Sequence, residues 1–404
     1  MTQLGQQRPP FTVPRPAPRR PGRPRRPRRR RLRLAAIVAL LLLTVPAVSL
    51  TRALTYPGSA PASVRVVEWV RDNGGAGTVD ALENWWYTRH PPPATGTATD
   101  PLAPQVHTAA PAAPAAAAAQ LPRVRLLPLT RALAGEGRWR VAASAPAGSA
   151  HPGRPTLFTT WFRPDARHAT VVVAGALLPR GATALHLVAG TREPVPGLHS
   201  PEGFRVPTAQ RGALVAVFNA GFKTQDSRGG WYAHGRAVVP LVKDAASLVI
   251  ADDGTATVRA WTGASRSVPA GVSAVRQNLA LVVDHGAVVP GLTSNTGQHW
   301  GSSHNQFQYT WRSGVGTDAA GNLLYVAGRG LTLPTLAAAL VDAGAVTGME
   351  LDIHTGMVAF TAFPHAAPTG SKGYTTMKLL TTMPQPRDRY LVADQRDFFY
   401  VTAR

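Results

Sequence analysis

Residues 311–356 read WRSGVGTDAAGNLLYVAGRGLTLPTLAAALVDAGAVTGMELDIHTG, and this stretch decides the fold because its periodicity changes twice. Tyr309–Gly316 is an extended, glycine-containing run, followed by a turn at Asp318–Asn322 and a strand at Leu323–Val326. A helix comes next. Thr332 is placed as its N-cap, Pro334 suits its first turn, Leu336, Leu340 and Val341 share one face, and Gly344 stops it. Val346–His354 is extended again and alternates strictly: Met349, Leu351 and Ile353 on one side, Glu350, Asp352 and His354 on the other. Strands flanking a single convincing helix predict an α+β fold.

Outward from this stretch, short β-branched runs recur between glycine-rich turns: Thr170–Val173, Leu185–Val188, Leu214–Phe218, Ser247–Ile250, Thr257–Trp261, Leu279–Val283 and Met357–Thr361. Asp253-Gly254 reads as a hairpin turn between two of them. The domain is therefore mostly β-sheet and spans 123–404, with no internal repeat. Residues 91–122 collapse to Pro, Ala and Thr, which leaves little to bury and predicts an extended spacer. Residues 52–90 hold two amphipathic stretches, with Val67, Trp69 and Val70 in one and Leu82, Trp85 and Trp86 in the other. They suit either a membrane interface or docking on the main domain.

The 17-residue run Leu34–Leu50 has no charge, and residues 1–33 before it hold 12 Arg, no Lys and no acid. The positive-inside rule predicts an N-in, C-out anchor at 34–51, with the basic Pro/Arg tail (1–33) in the cytoplasm facing anionic lipid. A cleaved secretory signal is the alternative, with Ala47-Val48-Ser49 as a small-x-small site. Either version places the bulk of the protein outside the cytoplasm.

Composition removes several function classes. The formal net charge is +22 over 404 residues, but the tail accounts for 12 of it. A nucleic-acid surface belongs on a folded face, so nucleic acid is not an expected partner. With no Cys, disulfide scaffolds, iron–sulfur clusters and thiol nucleophiles are excluded. His299 and His304 lack a third ligand nearby, there is no nucleotide fingerprint or nucleophile elbow, and neither metal nor cofactor is expected.

Three clusters could carry chemistry. Glu350, Asp352 and His354 could support acid/base work at a strand end, or form the wet face of a half-buried strand. Arg312 leads into Ser313-Gly314-Val315-Gly316, which could present a guanidinium to phosphate or be an ordinary closely packed strand. Leu214–Phe218 runs into Asn219-Ala220-Gly221-Phe222, either a plain turn or an amide held for a sugar or phosphate oxygen.

In their order and spacing, VAVFNAGF, SLVIADDGTATV, NLALVVDHG and the 311–356 stretch resemble the phosphodiester glycosidase family, which includes bacterial surface and exopolysaccharide-associated proteins. The resemblance covers about 205–365. It implies that Asn219 and Gly221 match the family's Asn-Gly-Gly-Phe segment, that Arg312 recognises phosphate, and that Asp352 matches the Asp of Asp-Gly-Gly-Gly-Ser. Here Ile353-His354-Thr355-Gly356 replaces the Gly run, Ala220 replaces the first Gly, and Glu350 stands where the family has Asn. β-Branched Ile353 cannot let backbone amides approach an anion as Gly does.

Together with the predicted anchor, the resemblance implies a membrane-anchored, extracytoplasmic hydrolase of sugar-phosphate diesters or related glycosidic bonds in cell-envelope polymer. Arg312, Asn219 and Gly221 would bind substrate. Asp352 would act as nucleophile or acid/base, with Glu350 or His354 as the second proton-transfer group. The alternative on the same fold is a non-catalytic protein that binds envelope glycan or supports polysaccharide assembly.

Overall fold

The computed structural model describes residues 28–56, 58, 60–96, 98, 121–128, 132–301, 305–368 and 374–404. The chain divides into two compact units, 1–52 and 53–404. The first contains most of helix α1 (Arg28–Thr55), which includes Pro46 and exposes Ile37, Leu40, Leu43 and Val45. The uncharged run is thus helical, although no helix among the described residues is long and apolar enough to cross a membrane. Most of the Pro/Arg tail and the centre of the Pro/Ala spacer lie outside the described residues.

The second unit opens with a helical hairpin, α2 (Ala62–Val70) and α3 (Ala76–Arg89). Its connection, Arg71–Gly75, turns at Gly74, whose φ of 90° needs a residue without Cβ. The β-domain then runs β1 (Arg140–Ser144), β2 (Pro155–Phe162), β3 (Val173–Leu178), β4 (Thr183–Val188) and β5 (Leu214–Asn219). A single helical turn, α4 (Thr224–Ser227), precedes β6 (Trp231–Ala233), β7 (Arg236–Val239), β8 (Ala246–Ala251) and β9 (Ala256–Ala260). Next come β10 (Val272–Gln277), β11 (Leu281–Asp284), β12 (Ala287–Val288), β13 (Thr310–Asp318) and β14 (Leu323–Leu331). Helix α5 (Leu333–Asp342) and strands β15 (Ala345–Ile353), β16 (Phe360–Pro368), β17 (Tyr374–Lys378) and β18 (Phe398–Ala403) complete the order.

These strands form three sheets: β1-β2-β3-β14-β13-β15-β11-β12, β7-β6-β10-β8-β9, and β17-β16-β5-β18-β4. Alternation along β14 explains the layering. Leu324 and Val326 pack with Leu336 and Leu340 of α5, while Leu323, Tyr325 and Ala327 face the core shared with Phe218, Phe360 and Phe399 of the third sheet. The first sheet is therefore covered by α5 on one face and by the other sheets on its opposite face.

Helix α5 forms as its sequence predicts. Thr332 accepts a hydrogen bond from the Thr335 amide at 3.3 Å, and Gly344 ends the turn at φ 103°. The glycines of β13 serve close packing. A Cβ at Gly314 would lie 3.0 Å from Leu340 Cδ1, and one at Gly316 would lie 2.6 Å from the Thr347 carbonyl. Asp253-Gly254 turns between β8 and β9 as expected, but the run Thr170–Val173 only touches the start of β3.

Candidate active site

The end of β15 and the turn after β5 are joined by hydrogen bonds, so segments far apart in sequence meet at one place. The Asp352 amide donates to the Ala220 carbonyl at 3.1 Å. Ser313 Oγ on β13 donates to the Asp352 carbonyl at 2.8 Å and accepts from Asn219 Nδ2 at 3.0 Å. Asn219, Arg312 and Asp352 thus sit on three neighbouring strand ends, as separated groups on sheets must if they are to share a site.

Neighbourhood is not access, and the six residues singled out in the sequence divide into two tiers. Arg312 is buried; its Nη1 lies 2.5 Å from Glu350 Oε1 and its Nε donates to the Leu331 carbonyl at 3.0 Å. Glu350 is only 1 % exposed, so the polar side of β15 is not a wet face. The alternation is right, but these charges face each other within the protein. Burial pushes the Glu350 carboxyl up, against the pull of Arg312.

Asn219 is fully engaged as well. Its Oδ1 accepts from Tyr325 Oη and from the Ala359 amide, both at 3.0 Å, while Nδ2 also donates to the Ala220 carbonyl at 3.0 Å. Gly221 is required by packing, because a Cβ there would lie 2.8 Å from Asn278 Cγ. Asn278 in turn donates to the Glu350 carbonyl at 2.7 Å and accepts from the Phe222 amide at 3.2 Å. Arg312, Glu350, Asn219 and Gly221 are thus buried and engaged within the protein, behind the residues that line the adjoining cavity.

That cavity has a volume of about 550 Å³, and its wall includes Asp352 and His354. Asp352 Oδ2 lies 2.7 Å from Arg396 Nη2, and Oδ1 accepts from the Ile353 amide at 3.1 Å. Burial raises the Asp352 pKa to about 6 even though Arg396 pulls it down. His354 has φ 73° at the end of β15, a conformation rare for a side chain with Cβ, and Nδ1 lies 3.2 Å from Thr310 Oγ1. Burial, with Arg312 and Arg71 nearby, lowers the His354 pKa to about 3, so its imidazole is neutral.

The opposite wall belongs to the hairpin. Tyr87 stacks on His354 with ring centroids 5.5 Å apart, and Glu83 Oε2 lies 3.6 Å from His354 Nε2. Glu68 and Asp72 pair with Lys223 at 2.6 and 3.0 Å, and Asp72 also pairs with Arg192 at 2.8 Å. Of the two sequence readings for this segment, docking on the main domain is the one the structure displays, with Leu82, Trp85 and Trp86 left exposed on α3.

Arg396, Lys223 and the hairpin acids were not read from the sequence as site residues. Glu68 and Asp72 are four apart and Asp80 and Glu83 three apart, a spacing that puts each pair on one helical face and was open to notice. Arg396 lies in Asp394-Gln395-Arg396-Asp397, a charged run directly before an aromatic strand. His299 is exposed and His304 lies outside the described residues.

Residues 212–376 match the phosphodiester glycosidase family. The match holds Asn219, Gly221, Arg312, Glu350, Asp352 and His354, while Arg396 lies beyond it and the hairpin before it. No curated protein matches the chain. Among solved structures, the zebrafish N-acetylglucosamine-1-phosphodiester alpha-N-acetylglucosaminidase catalytic domain, auto-inhibited by its pro-peptide, is similar at 16% identity, covering 65% of this chain and 86% of that one, with a TM-score of 0.40. A hypothetical protein from Synechocystis is similar at 12% identity over 62% of this chain and 63% of that one, with a TM-score of 0.37. Within the matched segment, Asp352 lines the cavity and is followed by Ile353-His354-Thr355-Gly356.

Proposed function

We propose that the domain hydrolyses sugar-phosphate diesters or related glycosidic bonds in cell-envelope polymer. One observation carries this reading: Asp352, the carboxylate that matches the family's segment, stands on the wall of a cavity with its pKa raised to about 6. Hydrolysis adds water across the bond between the sugar carbon and the phosphate oxygen, releasing the sugar and a phosphate monoester. A phosphate monoester leaves as a stable anion and needs little protonation. The demanding task is to take a proton from water or to attack the sugar carbon, and ionised Asp352 is suited to either. Neutral His354 supplies the second proton-transfer position, and the Arg312–Glu350 pair holds the strand ends that carry both. The test is a hydrolysis screen of the purified chain on sugar 1-phosphodiesters, with Asp352→Asn as control; turnover unchanged in that variant refutes the assignment.

A non-catalytic, glycan-binding reading is favoured by Ile353 in place of Gly and by the direct ion pair of Asp352 with Arg396. It predicts ligand binding with no turnover in the same screen.

The anchoring proposal rests on the 12 Arg before the uncharged run Leu34–Leu50. In it the basic tail faces anionic lipid in the cytoplasm and the hydrolase works outside. Protease added to intact cells should release the domain and spare the tail. A domain protected from external protease refutes this topology.

A further inference from the structure

Two buried cations on the cavity wall have no role in the reading above. Lys223, just after β5, is 9 % exposed, and Arg396, just before β18, is 6 % exposed. Both line the cavity. A charge held out of water is costly unless it is paired, so the partners of each are informative. Arg396 gives Nη2 to Asp352 at 2.7 Å and to the Gly221 carbonyl at 3.0 Å, while its buried Nε has no hydrogen-bond partner among the described residues. Lys223 is neutralised by the hairpin, by Glu68 at 2.6 Å and Asp72 at 3.0 Å. Glu68 also acts electrostatically on Arg396 and on Asp352, which places its carboxylate in the field of both cations.

Carboxylate and phosphate offer such a pair the same thing, charged oxygen acceptors for N–H donors. The domain's own side of the cavity carries Lys223, Arg228 and Arg396 against Asp226 and Asp352. Three cations against two carboxylates leave one positive charge, the complement of a singly charged phosphodiester. Arg312 cannot fill this role, because its guanidinium is engaged behind the wall. We propose that Lys223 and Arg396 form the phosphate subsite of this cavity, and that the Glu68 carboxylate occupies the position of the substrate's phosphate. The proposal rests on the hydrolase reading and names the groups that recognise its substrate's anionic part.

The experiment is a calorimetric titration of the purified full chain with inorganic phosphate, with methyl glucoside as the uncharged control. Glu68→Gln with Asp72→Asn frees Lys223 and should tighten phosphate at least fivefold over the unmodified chain. Adding Lys223→Met should weaken it at least tenfold, Lys223→Arg should recover most of the loss, and near-ultraviolet circular dichroism checks that each variant is folded. Should the double acid variant not fold, Lys223→Met and Lys223→Arg in the unmodified chain give the same comparison. Phosphate affinity indifferent to Lys223→Met, or no phosphate binding in any variant, overturns the proposal. Turnover is read separately. Phosphate binding as expected without diester cleavage defeats the hydrolase reading and leaves the subsite standing. Cleavage whose KM ignores Lys223→Met does the reverse.

Discussion

Asp352 and Arg396 meet at 2.7 Å across 44 residues of sequence, which makes the cavity's carboxylate one half of a buried ion pair. As base or nucleophile, such a carboxylate works only when ionised. With a pKa near 6, hydrolysis should rise with pH through about 6 and level off above it. Asp352→Asn should reduce kcat at least 100-fold, the order expected for loss of a proton-transfer group, with affinity for an uncharged glycoside nearly unchanged. A pH–rate profile of kcat and a binding titration check both.

The Arg312–Glu350 pair predicts a different outcome. Removing either partner leaves the other charge buried, so Arg312→Met or Glu350→Gln should cost about 3–5 kcal/mol of stability. Replacing both by Met should recover much of that loss. Urea unfolding of the three variants tests this. A stable Arg312→Met variant with a strongly raised KM would instead return Arg312 to the role of a substrate contact.

Asn219 joins β5, β13 and β14 through a satisfied amide. Asn219→Ala strands the Ala359 amide and leaves the Tyr325 hydroxyl only its 3.4 Å bond to the Ala359 carbonyl, and should destabilise by about 2 kcal/mol. Thermal unfolding measures the loss, and residual activity in the folded fraction should stay close to that of the unmodified protein.

His354 makes the fold acid-sensitive. Its pKa falls from about 6.5 to about 3 on folding, so the unfolded chain binds more protons between these values. Its stabilising contribution is complete above pH 6.5 and is lost as pH falls toward 3. His354→Gln should flatten the decline in stability between pH 6 and 4 by on the order of 2 kcal/mol, read from denaturant midpoints at each pH.

How much of this was legible in the sequence depends on the range of the interaction. The Thr332 cap, the α5 face and the Gly344 stop are local, and each was found where the residues said. Alternation at Met349–Ile353 was legible for the same reason. Its polar side could be read as wet because nothing local reveals that Glu350 has a guanidinium waiting 38 residues earlier. Arg396 escaped because β18 acquires its neighbours β5 and β4 only in the folded sheet. The hairpin's acids could be seen to share helical faces, but their cation, Lys223, is 151 residues beyond Asp72.

The position of β18 bears on the order in which the protein is made. It sits between β4 and β5, which end at Val188 and Asn219, well before β18 begins at Phe398, and Arg396 arrives directly ahead of it. Until Phe398–Ala403 emerges from the ribosome, β4 and β5 lack the strand that joins them, and Asp352 lacks its cation. The cavity is thus finished only after the preceding strands of all three sheets have been synthesised, so its assembly waits for the β18 segment.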